Sequence, residues 1–122
     1  MVDATNKFFA AWSMQDPSAQ AEVIEQCFAE NGTYSDPRSG ERLSGATAIA
    51  NYVAMFSANA PGWGAEVTKS DSINNYTRAI VQFSGKGPDG QEMAQHGTYF
   101  VDTNADGQII AIAGFVGETP AD

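Results

Sequence analysis

The sequence predicts an α+β fold in which three N-terminal helices pack on a curved, mostly antiparallel sheet, as a cone with a central pocket. Two observations predict it. Apolar residues recur at helical spacing through the first half of the chain. From Ala65 onward the period shortens to that of strands, and turn sequences separate the runs. The 122 residues amount to one domain, and no repeat, linker or low-complexity tract divides them.

The helices come first. Phe8, Phe9 and Trp12 share a helical face, which predicts an amphipathic helix from about Asp3 to Met14. Asp16-Pro17 supplies an N-cap followed by a proline at the first helical position. The helix it opens carries Ala21, Ile24, Cys27 and Phe28 on one face, and Asn31-Gly32 is its expected stop. Tyr34 begins a short strand. Ser44 or Gly45 then caps a third helix, whose face is Ile49, Tyr52, Val53 and Phe56, and Pro61-Gly62 ends it.

Four strands follow. The first runs from Ala65 to about Ser70, and the polar Asn74-Asn75 turn leads into Thr77 to Gly85. Gly87 to Gly90, "GPDG", is a hairpin turn. Gln91 to Asp102 is a long strand, "NADG" turns again, and Gln108 to Val116 closes the sheet. Ile109, Ile110, Ile112, Phe115 and Val116 put apolar residues on both faces of that last strand. One face serves the helices. The other predicts a homodimer through the outer side of the sheet.

Charge narrows the function classes. Six Lys and Arg stand against 15 Asp and Glu, for a net charge of −9. Such a surface repels nucleic acid and anionic membranes, so a small apolar or neutral molecule is the expected partner. No apolar run is long enough to span a bilayer, and the N-terminus lacks the pattern of a signal peptide, so the expected location is cytoplasmic. The single cysteine, Cys27, falls on an apolar helix face and reads as core. "DTNADG" (Asp102 to Gly107) matches the first half of a calcium loop, but its twelfth position is Ala113 where a glutamate is needed. It reads as a hairpin turn. No metal site or cofactor is expected.

The element order, with "SDP" (Ser35 to Pro37) shortly ahead of "GATAI" (Gly45 to Ile49), resembles the nuclear transport factor 2-like superfamily. That superfamily includes ketosteroid isomerases and SnoaL-like polyketide cyclases, the likeness covers nearly the whole chain, and it implies a single SnoaL-like domain over residues 1–122. The resemblance puts Asp36 where the isomerases keep their general base. It puts Trp12 in place of their oxyanion-hole tyrosine, and Tyr99 near their second oxyanion donor. Two supporting tyrosines of that family fall at Phe28 and Val53. The acid/base aspartate of the cyclases has no counterpart in "IIAIAGFVG" (Ile109 to Gly117).

Asp36 and Tyr99 are therefore the candidate catalytic residues, for proton transfer beside a carbonyl. Trp12, Tyr34, Tyr52, Phe56 and His96 are the candidate ligand contacts. His96 and Tyr99 have opposite strand parity, so both face the cone only across a bulge. Asp36 has a second reading, as an Asx-turn residue before Pro37 or the partner of Arg38 or Arg42, in a module of the same fold that binds a ligand or a protein partner without catalysis. The two readings differ on stability. An unpaired carboxylate facing the cone predicts that Asp36→Asn leaves stability level or raises it. A turn or ion-pair role predicts a loss.

Overall fold

A computed structural model describes residues 4–117. Helix α1 spans Ala4–Ala11 and α2 spans Pro17–Cys27. Strands β1 (Phe28–Ser35) and β2 (Leu43–Ser44) precede α3 (Ala46–Asn59). Then come β3 (Gly64–Ile73), β4 (Tyr76–Lys86), β5 (Glu92–Thr103) and β6 (Ile109–Val116). The architecture is α+β, and the six strands form one sheet in the order β2-β1-β6-β5-β4-β3. Every pairing is antiparallel except β1 with β6, which is parallel.

Local chemistry accounts for most boundaries. Asp16 caps α2, its side chain accepting from the Ser18 N–H at 3.2 Å, with Pro17 next in line. Gly45 caps α3 with φ at 89°, a conformation that glycine takes without steric cost. Asn104 stabilises the turn before β6, its Oδ1 accepting the N–H groups of Asp106 and Gln108 at 3.0 Å each. The expected start of α1 at Asp3 lies outside the described residues.

Helix α1 ends at Ala11, short of the expected Met14, and two larger departures from expectation follow. Helix α2 ends at Cys27, not at Asn31-Gly32, and Phe28 already belongs to β1. Asn31 does adopt a left-handed φ of 63°, but inside the strand, where the pairing with β6 slips between Phe28 and Thr33. Gly32 is needed there because a Cβ would stand 2.8 Å from the Phe28 ring and 2.9 Å from the Ile109 carbonyl oxygen. The left-handed backbone that ends helices here makes a bulge. Second, Leu43–Ser44 forms a short edge strand against Tyr34 and Thr33, which no local pattern marks.

The helices cover one face of the sheet. Phe8, Phe9, Ile24, Ile49, Val53 and Ile109 are all fully buried between them. Cys27 joins this core, and burial pushes its thiol up to about 11, with Lys7 opposing in part. Gln20 is the polar exception. It is fully buried, and its amide nitrogen lies within bonding distance of the Ala11 and Met14 carbonyls and Ser57 Oγ, at 3.1, 3.0 and 2.7 Å. One side chain thus answers carbonyls at the end of α1 and ties them to α3. The outer face of the sheet shows Phe100, Ile110 and Phe115 to solvent, with the two phenylalanine rings 5.9 Å apart. Ile110 is there because the β5–β6 register slips between Asp102 and Thr103.

Tyr99 reaches inward from the middle of β5, opposite Gly114 on β6. Its ring lies flat over that glycine, so a methyl at Gly114 would overlap the ring edge. We expect Gly114→Ala to displace Tyr99 and cost about 1–3 kcal/mol by overpacking. Urea unfolding measures it, and an unchanged midpoint would refute this placement of the ring.

Candidate functional site

Asp36 directly follows the last residue of β1. Tyr34 precedes it on the same strand face, and the Tyr34 hydroxyl donates to Asp36 Oδ2 at 2.7 Å. Tyr52 arrives from α3, its hydroxyl 2.7 Å from Asp36 Oδ1 and 2.9 Å from Oδ2. A third donor is local, the Arg38 backbone N–H at 2.9 Å from Oδ1. That contact is an Asx turn. One carboxylate therefore meets both sequence readings, since it makes the turn and also receives two side-chain hydroxyls. No ion pair joins it to Arg38 or Arg42. Among the described residues the ion pair is Arg78 with Asp71, at 2.6 Å on the surface. Nor is the carboxylate unpaired, so the expectation of level or higher stability in Asp36→Asn does not survive.

Tyr99 stands behind Tyr34, the two rings stacked with centroids 6.4 Å apart. Burial raises the Tyr34 phenol well above its ordinary range, with Tyr99 and the Asp36 charge adding to the effect. Tyr99 is pushed up to about 12, chiefly by burial, while the hydroxyl of Tyr34 pulls the other way. Tyr52 is raised too, first by burial and then by its bond to Asp36. All three phenols hold their protons at neutral pH, and those of Tyr34 and Tyr52 donate to Asp36.

Trp12 sits at the centre of the rings. Its centroid is 5.0 Å from Phe56, 5.4 Å from Phe83, 6.1 Å from Tyr52 and 6.2 Å from Tyr34. The indole is buried, and its Nε1–H has no hydrogen-bond partner among the described residues. Aromatic rings in mutual contact thus occupy the inside of the cone. Two grooves lie elsewhere, on the outer face of the sheet, with volumes of about 470 and 390 Å³. Tyr76 and Phe100 line both.

Trp12, Tyr34, Asp36, Tyr52, Phe56 and Tyr99 therefore come together. His96 does not. It is exposed on β5, opposite Gln82, on the face away from Tyr99. No bulge interrupts β4–β5 between them, so strand alternation keeps the two apart. Phe83 was missing from the sequence candidates. Its parity with the buried Ala79 and Val81 on β4 is the signal that marks it. Among the described residues no group of three or more His, Cys, Asp or Glu is placed to hold a metal ion. No helix among them is long and apolar enough to cross a membrane.

Comparison with known proteins bears on this arrangement. The profile of the SnoaL-like domain matches residues 5–112. The chain belongs to the SnoaL-like domain family. A solved SnoaL-like family structure from Agrobacterium tumefaciens is similar to this SnoaL-like domain, with a TM-score of 0.80 and 27% identity over 94% of this chain and 95% of that one. A protein of ketosteroid isomerase-like fold from Catenulispora acidiphila, solved with trimethylamine, has a TM-score of 0.78 at 18% identity, covering 93% and 85% of the two chains. A nuclear transport factor 2-like protein from Exiguobacterium has a TM-score of 0.74 at 21% identity, covering 95% and 99%. No curated protein matches the sequence.

The raised phenols set an alkaline limit. Above the ordinary tyrosine value of about 10 the unfolded chain releases these protons and the folded domain keeps them. The folded state then binds more protons, so stability falls as pH rises. Each buried phenol contributes a slope of about 1.4 kcal/mol per pH unit until its folded value is passed. Urea unfolding from pH 9.5 to 11.5 should show a shallower decline in Tyr99→Phe than in wild type. Equal slopes would mean that Tyr99 ionises freely in the folded state.

Proposed function

We propose that this SnoaL-like domain binds a small, largely apolar carbonyl compound at the Asp36 end of the cone, and that Asp36 moves a proton at the carbon beside the carbonyl. One observation carries the reading. Trp12 Nε1–H is a buried donor without an acceptor, in the same ring cluster as the tyrosines that bind Asp36. A buried donor left unpaired costs free energy, and a carbonyl oxygen entering the cluster would satisfy it. The same N–H would then stabilise charge developing on that oxygen, with the Tyr99 hydroxyl as second donor. The surface charge of −9 suits a neutral ligand.

A second reading has its own observation. The rings inside the cone already touch one another, as expected of a module that binds without catalysis. Exchange chemistry separates the two. Small cyclic ketones are incubated with the protein in heavy water, and deuterium entering beside the carbonyl is followed by NMR. Wild type should accelerate this exchange and Asp36→Asn should not. Asp36→Asn should also lose about 1–3 kcal/mol of stability, because two hydroxyl donors and one N–H lose a charged acceptor. Exchange that persists in a folded Asp36→Asn removes Asp36 from the chemistry. No exchange in wild type leaves the non-catalytic reading.

We also propose that the domain forms a homodimer through the outer sheet face. Phe100, Ile110 and Phe115 give that face an exposed apolar centre. Light scattering at micromolar concentration should report twice the 12.9 kDa chain mass, and Phe115→Glu should return it to one. A monomeric wild type would contradict the proposal.

A further inference from the structure

Asp36 has few ways left to accept a proton. A carboxylate offers about four lone-pair positions. Tyr34, Tyr52 and the Arg38 N–H already approach it, with Tyr52 reaching both oxygens. The three donors are not equally fixed. Tyr34 is fully buried, and the Arg38 N–H belongs to the turn. Tyr52 is only half-buried, on the helix that flanks the site. Its ring stands edge-on to Trp12 at 6.1 Å and tilts over Tyr34 at 5.7 Å. Neither groove on the outer sheet face reaches this position.

We propose that Tyr52 is a gate which occupies the ligand's own place. In the closed state its ring fills the space beside Trp12 and its hydroxyl holds Asp36. Rotation of Tyr52 toward solvent opens a slot the size of one phenol ring. That slot is bounded by Trp12, Tyr34 and the carboxylate. The ligand class follows from what the tyrosine leaves behind. A flat single-ring ketone or enone replaces the ring, offers its oxygen to Trp12 Nε1–H, and turns an acidified C–H toward the oxygen that Tyr52 has vacated. This inference rests on the proposed carbonyl site, and it adds the size of the substrate and the residue that admits it.

The gate lowers apparent affinity by the fraction of time it is open. Tyr52→Phe keeps the ring and removes the latch, so it should open more often. The probe is 2-cyclohexen-1-one, titrated by NMR against wild type, Tyr52→Phe and Tyr52→Ala. Tyr52→Phe should bind about tenfold tighter than wild type, the scale of one lost hydrogen bond to a charged group. In wild type the Tyr52 ring signals should move toward those of an exposed tyrosine as the enone saturates. Equal affinity in wild type and Tyr52→Phe, or enone binding that leaves the Tyr52 signals unmoved, overturns the gate and spares the carbonyl site. Failure of all three proteins to bind, including Tyr52→Ala with the slot cut open, overturns the site and the gate together.

Discussion

A charge at the end of a strand has to be answered by donors, and the answer to Asp36 organises this domain. Its donors come from three places: the strand before it, the turn after it and helix α3. The two phenols that reach it are rings at their other ends. Tyr34 packs on Phe8 at 5.6 Å, on Trp12 at 6.2 Å and on Tyr99 at 6.4 Å. Through Tyr34 the carboxylate is linked to rings that it does not touch. Polar geometry at the rim is passed inward as packing, because close-packed rings have no slack to absorb a change of angle.

Two buried polar atoms stand without partners among the described residues, Trp12 Nε1 and Gln20 Oε1. They differ in kind. Gln20 is half satisfied, and the satisfied half binds helix ends together, so its loose oxygen accompanies a structural staple. Trp12 has a single polar atom, and that atom does nothing within the described chain. The indole nitrogen is therefore a buried donor that the described residues leave unanswered, in a ring that packs on both tyrosines bound to Asp36.

What the sequence made legible was local. The Asp16-Pro17 helix start, the glycine cap of α3 and the hairpin turns each depend on a few neighbouring residues, and each appears where those residues put it. Asn31-Gly32 is ambiguous in the sequence because a left-handed backbone serves a helix end and a strand bulge equally well, and the choice rests on Ile109, far along the chain. The parallel β1–β6 pairing has the same character. At the site, strand parity placed Tyr34 and Asp36 on one face. The helical stripe placed Tyr52 toward the core, but it did not show that the Tyr52 hydroxyl closes on Asp36 16 residues away. Phe83 lies in a strand whose alternation with the buried Ala79 and Val81 points it inward.

The edges of the sheet carry a consequence of their own. One edge is β2, two residues long. The other is β3, whose ladder is broken by the register slip between Val67 and Lys69 and whose outer half is exposed and polar. A foreign strand seeking to extend the sheet finds a short template on one side and a kinked, charged one on the other. Open-ended growth, strand upon strand, is closed to this protein at both ends. Its apolar surface lies on the broad face, where the proposed contact between two copies would use the surface up and leave nothing for a third. The domain can thus display phenylalanines to solvent without offering a route to fibres.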